Sequence, residues 1–219
     1  MWNGCKCFSL LYDLSILEKI LNVFSFFSLN IANFELLMFN RNIERKERMK
    51  MEELTSCKTA IENCKISGTF AIAHLYKEEK AMDMHIHDCY EIYYSICGGK
   101  QFLIDNCFYT IAPGDLFIIN QYESHKLTQI DNSVHERIVL SVAPDFMKQI
   151  STEKTDLSFC FTHRSAPFSH KLSLNKEQQK RFLYYINKIT SAEGFAHDIT
   201  EYAAFMELMV MLNTLFVRN

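Results

Sequence analysis

Residues 85–99 read HIHDCYEIYYSICGG. On an extended chain successive side chains alternate between faces, so His85 and His87 point the same way and Glu91 shares their parity. Parity alone does not bring them together. A straight strand from His85 to Glu91 covers about 20 Å, whereas a metal–ligand bond is about 2 Å long. The chain must therefore bend between His87 and Glu91. Asp88-Cys89-Tyr90 is the place for that bend, Asp88 being a good turn former, and Glu91 then opens the next strand facing back inward. Further on, GDLFIINQYESH (114–125) reads as a strand, a polar loop and then His125. Three imidazoles and a carboxylate suit zinc, iron, manganese or nickel. The same four groups also suit a hydrogen-bonded polar patch in a ligand pocket. Tyr93 has the parity of Glu91 and would face the barrel interior, where aromatic walls suit either a sugar or another small polar metabolite or a filled core.

Short β-rich runs extend in both directions from this stretch: GTFAIAHLY (68–76), EIYYSICGG (91–99), QFLIDNCFYTI (101–111), DLFIIN (115–120) and ERIVLSVAP (136–144). Gly98-Gly99 and Asp105-Asn106 read as hairpin turns and Pro113-Gly114 as a further turn. Runs at this spacing predict a mainly β sandwich or barrel. The tail changes period. Asn175 is a helix N-cap followed by Glu177 and Gln178, Phe182, Tyr185, Ile186 and Ile189 recur at helical spacing, and Gly194 is a stop. Residues 196–219 form a second helix, with a stripe of Tyr202, Phe205, Met209, Leu212 and Phe216. That stripe serves either as packing on the barrel or as a dimer seam. Arg137 pairs with an acid on its strand or, at a barrel mouth, grips an anion. His74, His135, His163, His170 and His197 show no ligand spacing and are expected at the surface or in single hydrogen bonds.

The bulk composition limits the alternatives. The chain has 219 residues, 48% apolar and 22% charged, with a formal charge of −3. That is an ordinary globular balance with no basic excess, which argues against electrostatic nucleic-acid binding by this chain alone. The eight cysteines form no CxxC pair, so zinc-finger and thioredoxin-like readings fail and reduced thiols in a cytoplasm are expected. No phosphate-binding glycine loop or G-x-S-x-G elbow is present. Residues 1–50 are apolar but irregular. They are read as a leader, disordered or helical, or as not part of the native protein: RKERMKMEEL (45–54) is compatible with a translation start at Met51. The uncharged run 20–34 is shorter than the roughly 20 residues of a spanning helix, so no membrane association is expected. The division expected is a leader over 1–50, a barrel over 51–170 and a two-helix dimerisation unit over 171–219.

His85, His87, Glu91 and Gly98 match the first motif of the cupins (H-x-H, three residues, E, six residues, G). Gly114 and His125 match the ends of the second, where Asn120 and Tyr122 replace its proline and second glycine. Glu79 stands where a glycine precedes the first motif. The longer stretch from Met84 to Leu127, above all YTIAPGDLFIIN…H, together with ERIVLSVAPDFM, resembles the amino-terminal sensor domain of AraC-type transcription regulators. The resemblance runs from about Leu54 to Phe216. It implies a cupin-like (jelly-roll) barrel followed by two antiparallel C-terminal helices, a small-molecule effector held near His85, His87, Glu91, Tyr93 and His125, and a homodimer formed through the helices. It also implies DNA contact only through a helix-turn-helix unit that these residues do not contain. No catalytic role and no cofactor are expected on this reading. The alternative is a small metal-dependent cupin enzyme of dioxygenase or isomerase type, with His85, His87, Glu91 and His125 as ligands.

Overall fold

The computed structural model describes residues 57–77, 83–129, 135–164 and 169–218; the expectations for residues 1–50 lie outside them. The elements in chain order are α1 (Cys57–Ser67), β1 (Phe70–Lys77), β2 (Tyr90–Cys97), β3 (Gln101–Ile104), β4 (Cys107–Thr110), β5 (Asp115–Ile119), β6 (His125–Gln129), β7 (His135–Val142), α2 (Pro144–Ile150), α3 (Phe159–Thr162), β8 (Lys171–Ser173), α4 (Lys176–Thr190) and α5 (His197–Arg218). All strand pairs are antiparallel and form two sheets, a five-stranded one in the order β1-β7-β2-β5-β8 and a three-stranded one in the order β4-β3-β6. The result is a mainly β, cupin-like two-sheet barrel followed by two helices.

The large sheet is covered on both faces, which explains why its strands read as nearly unbroken apolar runs. Tyr93, Phe117, Ile119 and Val139 face the small sheet and pack with Phe102, Ile104 and Leu127. The alternate residues Ile92, Tyr94, Leu116, Ile138 and Leu140 face outward and pack with Phe161, Phe182, Phe205 and Leu208 of the helices. The barrel interior is thus an aromatic core, with Tyr93–Phe102 ring centroids at 5.0 Å and Phe102–Phe117 at 5.2 Å.

Asp105-Asn106 is a hairpin turn, joining the paired strands β3 and β4. Gly98-Gly99 is not: β2 and β3 belong to different sheets, and the two glycines, both at φ 71°, carry the chain around a barrel corner. The turn at Pro113-Gly114 is held by Asp115. This nearly buried carboxylate accepts from the Ala112 amide (2.8 Å) and the Ser173 hydroxyl (2.6 Å) and pairs with Lys171 (2.8 Å). Those last two contacts recruit β8, so residues 171–173, which the sequence reading put in the helical unit, form a strand on the edge of the large sheet. β6, β8, α1 and α3 were not anticipated: each is short or polar, and its state is set by what it docks on.

In α4 the expected cap is present as a capping box. The Gln178 amide donates to Asn175 Oδ1 (2.9 Å) and the Asn175 amide to Gln178 Oε1 (2.8 Å), and the expected face of Phe182, Tyr185, Ile186 and Ile189 is buried. α5 is long and apolar enough by composition to cross a bilayer. Its apolar side, however, is packed on the chain's own core through Phe205, Leu208, Met209 and Leu212, each 0% exposed.

Gly114 lies at φ 91°, in the region that L side chains avoid, and a Cβ there would collide with the Gln179 carboxamide. Gly114→Ala is therefore expected to lower stability by about 1–3 kcal/mol, read as a reduced urea midpoint. Adding Gln179→Ala should recover the steric part of the loss but not the backbone part.

Candidate functional site

The segment 83–89 approaches the barrel as an irregular extended chain. His85 is fixed by a two-way main-chain bridge to His125, with amide-to-carbonyl distances of 3.2 and 3.1 Å. The chain bends at Asp88-Cys89 and enters β2 at Tyr90. The loop between β5 and β6 clasps the bend: the Tyr122 amide donates to the His87 carbonyl (2.9 Å) and the Gln121 carboxamide to the Asp88 carbonyl (2.9 Å). This is the turn-back that the spacing required.

The four expected groups meet. His85, His87, Glu91 and His125 each offer a ligand atom, and these atoms all lie within 4.8 Å of one another. His87 Nε2 is 3.1 Å from Glu91 Oε2 and His125 Nε2 is 3.8 Å from it. On every ring, Nδ1 bonds a main-chain carbonyl: Asp83 for His85 (3.1 Å), Cys89 for His87 (3.0 Å) and Glu123 for His125 (2.8 Å). Each Nδ1 is therefore a donor, and Nε2 of His87 and of His125 is left to face Glu91. The Nε2 of His125 is buried without a hydrogen-bond partner. Imidazoles whose distal nitrogens are pinned by carbonyls, gathered around one carboxylate, fit a divalent transition metal.

Without an ion, protons occupy the cluster. Burial alone would raise the Glu91 pKa, but facing His125 and His87 holds it well below the ordinary carboxylate range. Burial likewise opposes charge on His87, yet its bonds to Cys89 and Glu91 carry its pKa up to about 10. His125 is raised despite its burial, chiefly by the Glu91 charge. His85 is lowered by burial and by His125. The metal-free cluster therefore centres on a buried His87–Glu91 ion pair.

The remaining expected residues fall elsewhere. Tyr93 lies in the barrel interior but turns from the cluster; its hydroxyl is 2.6 Å from His135 Nε2. The other ring nitrogen of His135 faces Arg137 Nη1 at 3.2 Å. His135, 0% exposed, is thus no surface residue and bonds on both sides. Nothing local along β7 signals this, because the partner Tyr93 lies on β2. His170 is also buried, between the Tyr109 hydroxyl (2.9 Å) and Glu123 (3.3 Å). Asp88 pairs with Lys65 at the surface (3.0 Å) rather than with an imidazole. Asp105, Glu123 and His170 form a second group of converging ligand atoms, but Arg164 already stands 3.3 Å from Glu123 and supplies its counter-charge. The Ser141 hydroxyl, in register with Glu91, is buried with no hydrogen-bond partner among the described residues.

Of the stripe read as a dimer seam, Phe205, Met209 and Leu212 are fully buried in the chain's own core, and Tyr202 and Phe216 are partly buried against it. Rings within this chain already cover that face: Phe70 stacks on Phe205 at 4.4 Å.

The ion pair sets a pH window in chelator-treated protein. Glu91, with its depressed pKa, contributes stability above about pH 4.5 that is lost as pH falls. His87, with its raised pKa, contributes stability that is complete below about pH 6.5 and lost as pH rises toward about 10. The urea midpoint of the native chain over that of Glu91→Gln should be greatest between about pH 4.5 and 6.5 and shrink steadily above it. An advantage that stays level to pH 10 contradicts an ionised pair.

Among known proteins, residues 68–208 match the AraC-like ligand binding domain. An uncharacterised HTH-type transcriptional regulator of Bacillus subtilis (strain 168), YbfI, is 27% identical over 95 residues, covering 43% of this chain and 34% of that protein. The match spans about a third of that relative. Solved structures with a related arrangement include the DMSP lyase DddQ of Ruegeria pomeroyi DSS-3, at 22% identity over 35% of this chain and 39% of that one, with a TM-score of 0.32. Another is a Bacillus subtilis oxalate decarboxylase OxdC variant, at 18% identity over 42% and 26%, with a TM-score of 0.33. Likeness at those scores carries no argument about chemistry. The match over 68–208 takes in both sheets and most of the helical layer, and the chain belongs to the AraC-like ligand-binding domain family.

Proposed function

We propose that this chain is the effector-sensing and dimerisation part of a cytoplasmic transcription regulator, and that it binds a small polar metabolite, a sugar being one candidate, without catalysing a reaction. The observation that carries this reading is the buried His/Glu cluster within a ligand-binding domain. Aromatic side chains surround a few converged polar groups, the kind of lining that small-molecule sites have, and the Ser141 hydroxyl beside Glu91 adds an unused donor for a polar ligand. DNA would be contacted through a helix-turn-helix unit carried outside these residues, as the name of the Bacillus relative suggests.

His85, His87, Glu91 and His125 would hold zinc, iron, manganese or nickel; when bound, such an ion would supply a Lewis acid toward a ligand oxygen. The same donor set favours one other reading, a metal-dependent enzyme of dioxygenase or isomerase type. Metal analysis of the purified chain, followed by turnover assays, separates the two. Stoichiometric iron or manganese with turnover establishes the enzyme. Saturable binding of a metabolite without turnover, accompanied by a change in self-association, establishes the sensor.

For the homodimer we assign the outward face of α5. Ile199, Ala203, Met206, Val210 and Val217 are exposed and spaced four, three, four and seven residues apart, the spacing of a helix–helix seam. Among the four larger side chains, exposure runs from 37% at Met206 to 68% at Val217.

Three outcomes are expected. His87→Ala and Glu91→Ala should abolish metabolite or metal binding, and with it any ligand-dependent change in self-association, while the chain remains able to self-associate. Metal binding by the native chain near pH 8 should release protons, His87 being a donor, measured by calorimetry in buffers of different ionisation enthalpy. Val210→Lys should weaken the dimer at least about tenfold, or about 1.4 kcal/mol, in sedimentation experiments, without altering ligand binding. An unchanged dimer would rule out this face.

A further inference from the structure

The His/Glu cluster lies on the inner side of the large sheet and α5 on its outer side, and one continuous set of hydrogen bonds runs between them. It starts at His125, whose Nδ1 donates to the main-chain carbonyl of Glu123 at 2.8 Å. The Glu123 carboxylate accepts from the Asn120 amide (2.6 Å) and from Arg164 Nη2 (3.3 Å). Arg164 Nε donates to the carbonyl of Phe161 at 2.8 Å, within the single-turn helix α3. From the other side of α3, the Cys160 amide donates to Asn213 Oδ1 (2.8 Å), while Asn213 Nδ2 donates to the carbonyls of Leu157 (2.8 Å) and Met209 (2.8 Å). Asn213 belongs to α5. A packing contact runs in parallel: the carbonyl that holds His87 belongs to Cys89, and the next residue, Tyr90, stacks on Phe161 at 4.4 Å.

α3 is held by contacts from both sides. Such a turn gains little from its own hydrogen bonds, so its position is dictated by what holds it. Here a barrel-side clamp, Glu123–Arg164, and a helix-side clamp, Asn213, hold the same four residues, and Cys160 and Phe161 are both 0% exposed. Displacing His125 moves the Glu123 carbonyl and strains the 3.3 Å contact to Arg164, the longest link in the series. A packed turn transmits such a shift rather than absorbing it.

We propose that α3 is the coupling element that carries the state of the His/Glu cluster to α5, with Glu123 and Arg164 as its input and Asn213 as its output. The purpose of this coupling rests on the sensor reading above; its existence does not. Coupling between separated sites is a free energy that both ends share, and contiguity alone does not demonstrate it.

The test is amide hydrogen exchange on the full chain, with no ligand required. His125→Ala should speed exchange at least about fivefold in residues 157–162 and 209–216, leaving α2 (Pro144–Ile150) at its native rate. In the Asn213→Ala background the same substitution should still reach 157–162 but no longer change 209–216. Arg164→Lys keeps the charge but cannot hold Phe161 and Glu123 together. It should give the native-background pattern, and it serves should His125→Ala fail to fold. The proposal is overturned if the effect of these substitutions stops within the barrel, if it reaches 209–216 equally with and without Asn213, or if it is uniform across α2 as well. Failure of the sensor reading would look different: no metabolite or metal would bind, while the transmission between substitutions stayed as described.

Discussion

A carboxylate buried among imidazoles is the constraint around which the barrel is arranged. Removing the Glu91 charge from water is costly unless it is paired, and among the described residues His87 and His125 stand close enough to do so. That requirement makes the chain turn back at Asp88-Cys89, because no straight segment could put His87 and Glu91 at contact distance. It also makes the HxH segment pair with the start of β6, so the cluster joins the edge of the small sheet to the middle of the large one. Closure of the barrel and convergence of the site are therefore one event.

The second organising fact is that the large sheet has no solvent face. Its inner side packs on the small sheet and its outer side on the helices, giving three layers from one chain. Such a sheet needs a long apolar cover, and α5 provides it. This explains why the richest stripe on that helix is turned inward and the milder face of Ile199, Met206, Val210 and Val217 is left exposed. It also explains why α3 matters despite its size: it fills the gap where the barrel loops and α5 approach, and its clamps come from both.

Much of this was legible along the chain. Parity and distance dictated the bend after His87, the turn residues Asp105-Asn106 and Pro113-Gly114 marked real turns, and Asn175 announced α4 through its cap. Other features were not legible. Gly98-Gly99 has the composition of a hairpin turn, but whether the flanking strands pair with each other or diverge into two sheets depends on partners far away in sequence. β8 is only three residues long and exists because Asp115 offers its carboxylate to Ser173 and Lys171. His135 and His170 carry no local sign of burial, since a histidine's environment is set by whichever side chains the fold brings against its two nitrogens.

By itself, then, the sequence determined the period of each segment, the sites of reversal and the identity of the four converging donors, because these depend on local geometry and on side-chain chemistry within a few residues. Only the tertiary structure decided which way each donor's proton points, which face of α5 is covered and how α3 is held. Those depend on contacts between residues as far apart along the chain as Phe70 and Phe205, and local propensity carries no information about partners at that separation.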